Sequence, residues 1–140
     1  MNLRYERKKP QNDKSIIAKI IWSPKEMQTY YEVPQNSYCL FRKRFQIDDH
    51  VKKADIKIFA DSRYILYVNG KRIGRGPCRS DPRWQYYDTY DIAEHLVKGE
   101  NVLSAEVLYY GYGTGHSICR VPALVAQSSI LLNSGESITI

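Results

Sequence analysis

Two pairs of carboxylates have spacings that acid–base chemistry could use. Asp88 and Asp91 lie three residues apart, and Asp48 and Asp49 are adjacent. A reaction that relies on one acid and one base needs both groups within reach of the bond that breaks. Asp91 can instead cap a helix, and the other pair falls in a loop. We therefore predict structural roles for both pairs and no catalytic residue in this chain.

His116, Cys119 and Cys78 are the residues that could hold a metal ion. Zinc sites need three or four ligands at recognisable spacings, and a lone His-x-x-Cys pair falls short of that. The three cysteines are an odd number with no Cys-x-x-Cys pair, so we predict buried thiols and no metal. The glycine-rich runs 70–76 and 111–115 lack the following helix that a phosphate-binding loop uses. We predict turns there and no cofactor.

The segment from Arg75 to Asp88 is the most suggestive for binding, since it combines two prolines, three arginines and an aromatic cluster. Tryptophan and tyrosine pair an apolar face with a polar atom, and with arginine they are common anchors of interfaces. The candidate residues for contact with a carbohydrate or another domain are Arg75, Arg79, Trp84, Tyr86 and Tyr87. One alternative stays open: Tyr86 and Tyr87 begin a core strand and Trp84 folds over the edge of the domain.

The elements that must position these residues are mostly β-strands. Alternation of apolar and polar residues is clearest at 54–60 and 101–109. Further strands are predicted at 16–22, 38–47, 62–68, 71–75, 121–132 and 137–140. Short strands separated by turn signals are typical of a sandwich or barrel. The 12 tyrosines, two tryptophans and three phenylalanines agree, because aromatic residues suit a pleated, half-buried surface.

Two local signals predict how elements connect. Asn69-Gly70 stands between strand-like runs and accepts the positive φ angles of a type I′ turn, which predicts an antiparallel hairpin. Between Asp91 and Gly99 the pattern changes, because Asp91 can cap a first turn and Ile92 and Leu96 fall on one helical face. Gly99 suits the position after the last turn. We predict one short helix of about two turns.

The net charge and its distribution along the chain limit the classes of partner that the chain could bind. Net charge is +6, and residues 1–14 supply half of it, since five basic and two acidic residues give 5 − 2 = +3. We expect a flexible basic tail at 1–14, a β domain at 15–140, and neither a nucleic acid nor a membrane as partner.

No apolar run approaches the roughly 20 residues that span a bilayer, and the N-terminus has no signal-peptide core. We therefore expect a soluble chain and assign it to no particular cellular compartment. The strand pattern reaches Ile140 without a closing loop. We expect a piece truncated from a longer protein, with a frayed natural C-terminus as the alternative.

Eight motifs follow one another along the chain. They are Trp22 after an apolar run, Phe41-Arg42-Lys43-Arg44-Phe45, Ala60-Asp61-Ser62-Arg63-Tyr64, Tyr67-Val68-Asn69-Gly70, Gly74-Arg75-Gly76-Pro77 with Arg79, Tyr87-Asp88-Thr89-Tyr90-Asp91, Gly99-Glu100-Asn101-Val102-Leu103 and Tyr109-Tyr110-Gly111. In this order they resemble the N-terminal β-sandwich of bacterial α-L-rhamnosidases, the family 78 glycoside hydrolases. The resemblance extends from about Ile16 to Leu132.

The resemblance implies an all-β jelly-roll sandwich of the galactose-binding-like type. It also implies a parent enzyme that removes terminal α-L-rhamnose with inversion, through an acid and a base in a separate (α/α)₆ barrel. No catalytic residue is carried over, and the loop Arg75 to Arg79 is implied as a packing or substrate-proximal element.

We therefore expect a non-catalytic accessory domain. Its partners would be a catalytic domain, of the same or a neighbouring polypeptide, and a rhamnose-containing carbohydrate. A stand-alone carbohydrate-binding module and a small nucleic-acid-binding barrel are the rival hypotheses.

Overall fold

The computed structural model describes residues 16–23, 34–79, 86–115, 118 and 120–140 of the 140-residue chain. The expected tail at 1–14 and the candidate residue Trp84 lie outside the described residues. In the described ranges the chain forms eight strands and one short 3₁₀ turn. No helix within these ranges is long and apolar enough to cross a membrane.

The strands form two antiparallel sheets of four strands each. They are β1 (Ser37–Ile47), β2 (Val51–Asp61), β3 (Arg63–Val68), β4 (Lys71–Gly76), β5 (Asp88–Asp91), β6 (Gly99–Tyr109), β7 (Ala123–Leu132) and β8 (Ser137–Thr139). The strand orders are β1-β6-β3-β4 and β5-β2-β7-β8. The two sheets enclose one hydrophobic core, and the predicted all-β sandwich is confirmed.

The predicted alternation places the core side chains. In β2 every second residue from Ala54 to Ala60 is buried, and in β6 the same holds from Asn101 to Tyr109. Strand β3 contributes Tyr64, Leu66 and Val68 from its inward face. Successive side chains of a strand point to opposite faces, so the residues between these positions form the outer surface.

The Asn-Gly hairpin is confirmed. Asn69 and Gly70 have φ angles of 49° and 79°, and Val68 pairs with Lys71 across the turn. A positive φ at both central positions gives the twist that β3 and β4 need to continue antiparallel.

The predicted helix of about two turns is wrong. Only a 3₁₀ turn forms, at Ala93–His95. Asp91 does accept a hydrogen bond from the Ala93 N–H at 3.0 Å, and Ile92 and Leu96 are both buried as the pattern required. The local signals were therefore read correctly for burial and for the first turn but not for length.

Asn101 explains why the helix ends so early. Its side-chain oxygen accepts from the Val97 N–H at 2.9 Å, and its side-chain nitrogen donates to the Val97 carbonyl at 2.7 Å. A further α-helical turn would need both of those backbone groups. Gly99, with φ of 108°, then begins β6 instead of ending a helix.

The predicted strand at 16–22 is also wrong. The described part of this segment joins the sheet only through an isolated bridge, in which Ile21 and Leu124 exchange backbone hydrogen bonds of 3.0 and 2.9 Å. Gln127 of β7 replaces regular pairing, because its side-chain oxygen accepts from the Ile17 and Ala18 N–H groups at 2.7 and 3.2 Å.

Trp22 fixes the end of that segment to the core. It is buried, and its ring lies 6.0 Å from the ring of Phe41 and 6.2 Å from that of Tyr109, between ring centroids. The apolar run is therefore buried at its end through one aromatic side chain and not through strand pairing.

Candidate functional site

The described candidate residues do not form one contact patch. Arg75, near the end of β4, and Arg79, in the loop that follows, are exposed. Tyr86 is half-buried, whereas Tyr87 is buried just before β5, with the Lys57 ammonium 5.2 Å from the centre of its ring. Tyr87 is thus buried beside the outward-facing Lys57 and outside the hydrophobic core cluster, and Arg75 and Arg79 are the ones that reach solvent.

A buried hydrogen-bond network holds the start of the loop. The Tyr64 hydroxyl donates to the Asp88 carboxylate and lies 3.1 Å from the Tyr90 hydroxyl oxygen. The other Asp88 oxygen accepts from the Cys78 backbone N–H at 3.4 Å. The Tyr90 hydroxyl donates to the Arg75 carbonyl at 3.3 Å. Burial, reinforced by the Asp88 hydrogen bond, raises the pKa of Tyr64 far above its ordinary value, so this hydroxyl remains a donor.

Two glycines let β4 lie directly on this network. A methyl group on Gly76 would sit 2.6 Å from the Tyr64 hydroxyl oxygen and closer still to the Asp88 carboxylate. On Gly74 it would sit 2.6 Å from Cζ of the Tyr90 ring and closer still to Cε1. Because side chains alternate along the strand, Arg75 between them points away from the network, to the outer face of the sheet.

An open cleft of about 510 Å³ lies on that outer face, beside the loop. Its polar side chains come from Arg63 of β3, Arg75 of β4, Glu106 of β6 and Tyr110 just after β6. In the strand register Ile65 stands opposite Glu106 on one side and opposite Arg75 on the other. A row of acid, apolar residue and base therefore crosses three neighbouring strands.

Arg63 ties two walls of the cleft together. Its Nε donates to the Tyr110 hydroxyl at 3.3 Å, and its Nη1 donates to the Pro77 carbonyl at 3.1 Å. The Tyr110 ring stacks on that of Tyr112, with centroids 5.8 Å apart and planes 23° apart. The loop after β4 and the aromatic pair after β6 are thus fixed relative to β3.

Unlike Arg63, Glu106 and Arg75 have side chains without a hydrogen-bond or ion-pair partner among the described residues. Neither side chain makes a hydrogen bond or ion pair with any residue that the structure describes. Glu106 is half-buried and Arg75 exposed. A carboxylate and a guanidinium in one cleft, both uncommitted, can serve an external ligand as acceptor and donor.

The outer face of the β1-β6-β3-β4 sheet continues beyond the cleft as a surface of exposed apolar and basic residues. Leu40 is 77% exposed and Tyr38 62% exposed, and Leu40 pairs with Glu106 in the register. Around them on the same face stand the arginines Arg42, Arg44, Arg63, Arg72 and Arg75. Exposed apolar side chains rimmed by charge are typical of a surface that meets a partner.

Three of the four carboxylates singled out by spacing have structural partners. Asp88 is buried in its network, while Asp91, on the opposite side of β5, is exposed and caps the 3₁₀ turn. Asp49 accepts from the backbone N–H groups of His50 at 2.7 Å and Ser134 at 2.9 Å. These bonds, the one from His50 first, lower the pKa of Asp49.

The structure also bears on the predicted thiols and metal ligands. Cys39 and Cys78 are half-buried and not buried as expected, while His116 and Cys119 lie outside the described residues. Among the described residues no group of three or more histidine, cysteine or acidic side chains is placed to hold a metal ion.

Three side chains of the cleft were not among the candidate site residues: Arg63, Glu106 and Tyr110. Arg63 and Tyr110 do fall in two of the eight motifs, so the order of the motifs along the chain could have identified them as candidate residues. Glu106 carries no such signal beyond being a charged residue at an outward position of an alternating strand. The strand register that places it beside Ile65 is what reveals its role.

Comparison with known proteins shows which class of protein shares this fold. No family model matches this sequence, and no curated protein does. Among solved structures, the GH78 family rhamnosidase of Bacillus sp. GL1 is 35% identical over 87% of this chain, with a TM-score of 0.73. The α-L-rhamnosidase from Dictyoglumus thermophilum is 26% identical over 74% of this chain, with a TM-score of 0.64. The chain spans 12% of the length of each of these enzymes.

A lectin shares the same architecture. The Pleurotus ostreatus lectin superposes on 89% of this chain with a TM-score of 0.67, at 24% identity, and this chain covers 32% of it. At that identity the match speaks for the fold alone. The protein is therefore a galactose-binding-like β-sandwich. Within that class it has the β-sandwich found in GH78 α-L-rhamnosidases, and the resemblance predicted from the ordered motifs is confirmed.

Proposed function

We propose that this chain is a non-catalytic accessory domain of an α-L-rhamnosidase-like glycoside hydrolase. The proposed partner is the catalytic domain of the same or a neighbouring polypeptide. The observation that carries the proposal is the 35% identity over 87% of this chain to a rhamnosidase of which it spans only 12%. A segment of that share, in which Asp49, Asp88 and Asp91 accept structural hydrogen bonds, suits support of a catalytic domain better than catalysis.

The outer face of the β1-β6-β3-β4 sheet supports a packing role. Leu40 and Tyr38 stay exposed there, although burying a large apolar side chain contributes about 1.5–3 kcal/mol. Arg42 and Arg44 of β1, which lie beside these residues and do not line the cleft, suit a partner surface that carries carboxylates around an apolar centre, because complementary charges steer association and fix orientation.

The experiment is an assay on an aryl α-L-rhamnoside, with the 140-residue chain alone and with the same chain joined to the region encoded downstream of it. We expect no turnover by the chain alone and turnover by the longer protein. Genuine turnover by the chain alone contradicts the non-catalytic assignment. A longer protein that hydrolyses other glycosides but no rhamnoside contradicts the proposed parent.

A stand-alone carbohydrate-binding module is the second candidate, favoured by the uncommitted Glu106 and Arg75 in the cleft. Titration of the chain with rhamnose-containing oligosaccharides distinguishes the two. Tight binding by the chain alone, lost in Glu106→Gln, favours the module. Absence of heat at millimolar sugar counts against it.

A further inference from the structure

We propose that the cleft between Glu106 and Arg75 is a binding subsite for a neutral saccharide ring, held through vicinal hydroxyl groups. The inference deepens the proposed function, on whose carbohydrate-related role it rests. It assigns the contact to the outer face of β3, β4 and β6, and not to the aromatic cluster 84–87.

The spacing of the charged groups fits one sugar ring. Glu106, Ile65 and Arg75 lie side by side on three adjacent strands, so the backbones of the outer two are roughly 10 Å apart. Both charged side chains rise on either side of Ile65, which is half-buried and forms an apolar floor. A pyranose ring offers the same combination, with an apolar C–H face and hydroxyls around its rim.

The donors and acceptors fit hydroxyl groups. A carboxylate has two oxygens and accepts from two neighbouring hydroxyls, while a guanidinium donates to a hydroxyl or ring oxygen. Hydrogen bonds with one charged partner are the stronger kind. Because neither side chain has a bond within the described part of the protein, a ligand would not have to break one first.

The arrangement favours a neutral sugar over an acidic one. An anionic group in the cleft would lie near the Glu106 carboxylate, which is half-buried and has no compensating ion pair among described residues. Arg63 has fewer free donors to offer an anionic group, since its Nε and Nη1 already donate to Tyr110 and Pro77. The volume of about 510 Å³ is within the range of small-ligand sites.

Amide chemical shifts of the isotope-labelled chain, recorded during titration with L-rhamnose, D-galactose and D-galacturonate, test the site. Up to about 50 mM sugar detects dissociation constants in the millimolar range. We expect a neutral sugar to move the amides of Ile65, Arg75 and Glu106. No shift with either neutral sugar overturns the proposal. Tighter binding of galacturonate overturns the neutral assignment.

Matched variants locate the contact. Glu106→Gln should weaken binding roughly ten-fold or more, because a charged acceptor is lost. Glu100→Gln, on the same face of the same strand but exposed at its start, should leave it unchanged. Arg75→Ala should weaken binding, and Arg72→Ala, its neighbour on the outer face of β4, should not. Equal binding by all four variants overturns the assignment to this cleft.

The outcome can be separated from that of the proposed function. The accessory role is tested by rhamnoside hydrolysis with and without the downstream region, whereas the subsite is tested on the 140-residue chain without any catalysis. A chain that binds no sugar yet belongs to an active rhamnosidase removes the subsite and leaves the accessory role standing.

Discussion

Gly76 is the residue on which the loop after β4 depends most directly. It faces the Tyr64 and Asp88 side chains so closely that no side chain fits between them. We expect Gly76→Ala to lower the free energy of unfolding by roughly 1–3 kcal/mol, the usual cost of forcing extra atoms into a packed interior. Urea unfolding followed by circular dichroism measures the change.

Gly115→Ala is the matched control, because a methyl group there meets nothing within 4 Å. It should change the free energy of unfolding by about 0.5 kcal/mol or less. Equal effects of the two substitutions would show that the network under β4 is not tightly packed.

Asp61 links stability to pH. It is buried, and its burial raises the pKa above 3.8, against the Ser62 hydroxyl bond and the positive charge of Arg120, which lower it. The folded protein therefore keeps the proton to higher pH than the unfolded chain does. The free energy of unfolding should fall as pH rises from 3.8 through the higher folded pKa.

Asp61→Asn removes that titration and retains an oxygen that can accept the Ser62 hydroxyl bond. We expect a flatter pH profile than that of the wild type in the acidic range above 3.8, and greater stability at neutral pH. Chemical unfolding across a pH series measures both. Parallel profiles for the two proteins, with the exposed Asp48→Asn as reference, would rule out this role for Asp61.

Residue types alone reveal only part of the cleft. Arg75 is identifiable from its loop composition, and Arg63 and Tyr110 from the order of the motifs. Glu106 acquires meaning only when β6 is set beside β3, because that register brings it opposite Ile65 across 41 positions of sequence. For Asp88 the sequence predicts a structural role but not its partners, since spacing alone does not show which side chains a carboxylate will bond.

Asn101 acts at the level of elements, because it connects the 3₁₀ segment, the β3–β4 turn and the start of β6. Its amide bonds both backbone groups of Val97 and accepts from the Asn69 side chain at 2.9 Å. We expect Asn101→Ala to cost roughly 2–4 kcal/mol of unfolding free energy, since buried backbone groups lose their partners. Hydrogen exchange should also quicken at the Val97 amide.

Asn133→Ala provides the comparison, because that side chain is exposed in the turn between β7 and β8. A small change there and a large one at position 101 are expected. Were the Val97 amide to exchange equally slowly in both variants, the early end of the helix would need another explanation.

The strands could be predicted from sequence where one face of the strand is buried and the other is exposed to solvent. In β2 and β6 the two-residue period is regular, so both strands and their inward faces follow from sequence. The segment 16–22 could not be predicted in this way. An apolar run does not reveal whether backbone pairing or a Gln127 side chain will satisfy its N–H groups. Strand β5 is too short for a periodic signal.

At the scale of the whole molecule, the exposed apolar residues of the outer face should matter little for the stability of the isolated domain and more for its association with a catalytic domain. We expect the double substitution Tyr38→Ser with Leu40→Ser to change the unfolding free energy of the isolated domain by about 0.5 kcal/mol or less, because both side chains are largely exposed. In the longer hydrolase the same change should lower the melting temperature, since the proposed interface loses apolar contacts.

Val97→Ser serves as control, because Val97 is also exposed but lies away from the outer face. Differential scanning calorimetry of both proteins measures the effects. A longer hydrolase that is equally indifferent to both changes would place the catalytic domain elsewhere on this sandwich.

The pairing of distant strands dictates when the domain can form during synthesis. Strand β1 waits for β6, with Ile47 opposite Gly99, and β2 waits for β7, with Val51 opposite Leu132. As the chain leaves the ribosome, β4 can pair with β3 at once, and at the end of the described chain β8 can pair with β7. Until Leu132 has emerged, β2 has only the four residues of β5 beside it. The β2–β7 pairing of this protein therefore cannot be completed until Leu132 has left the ribosome.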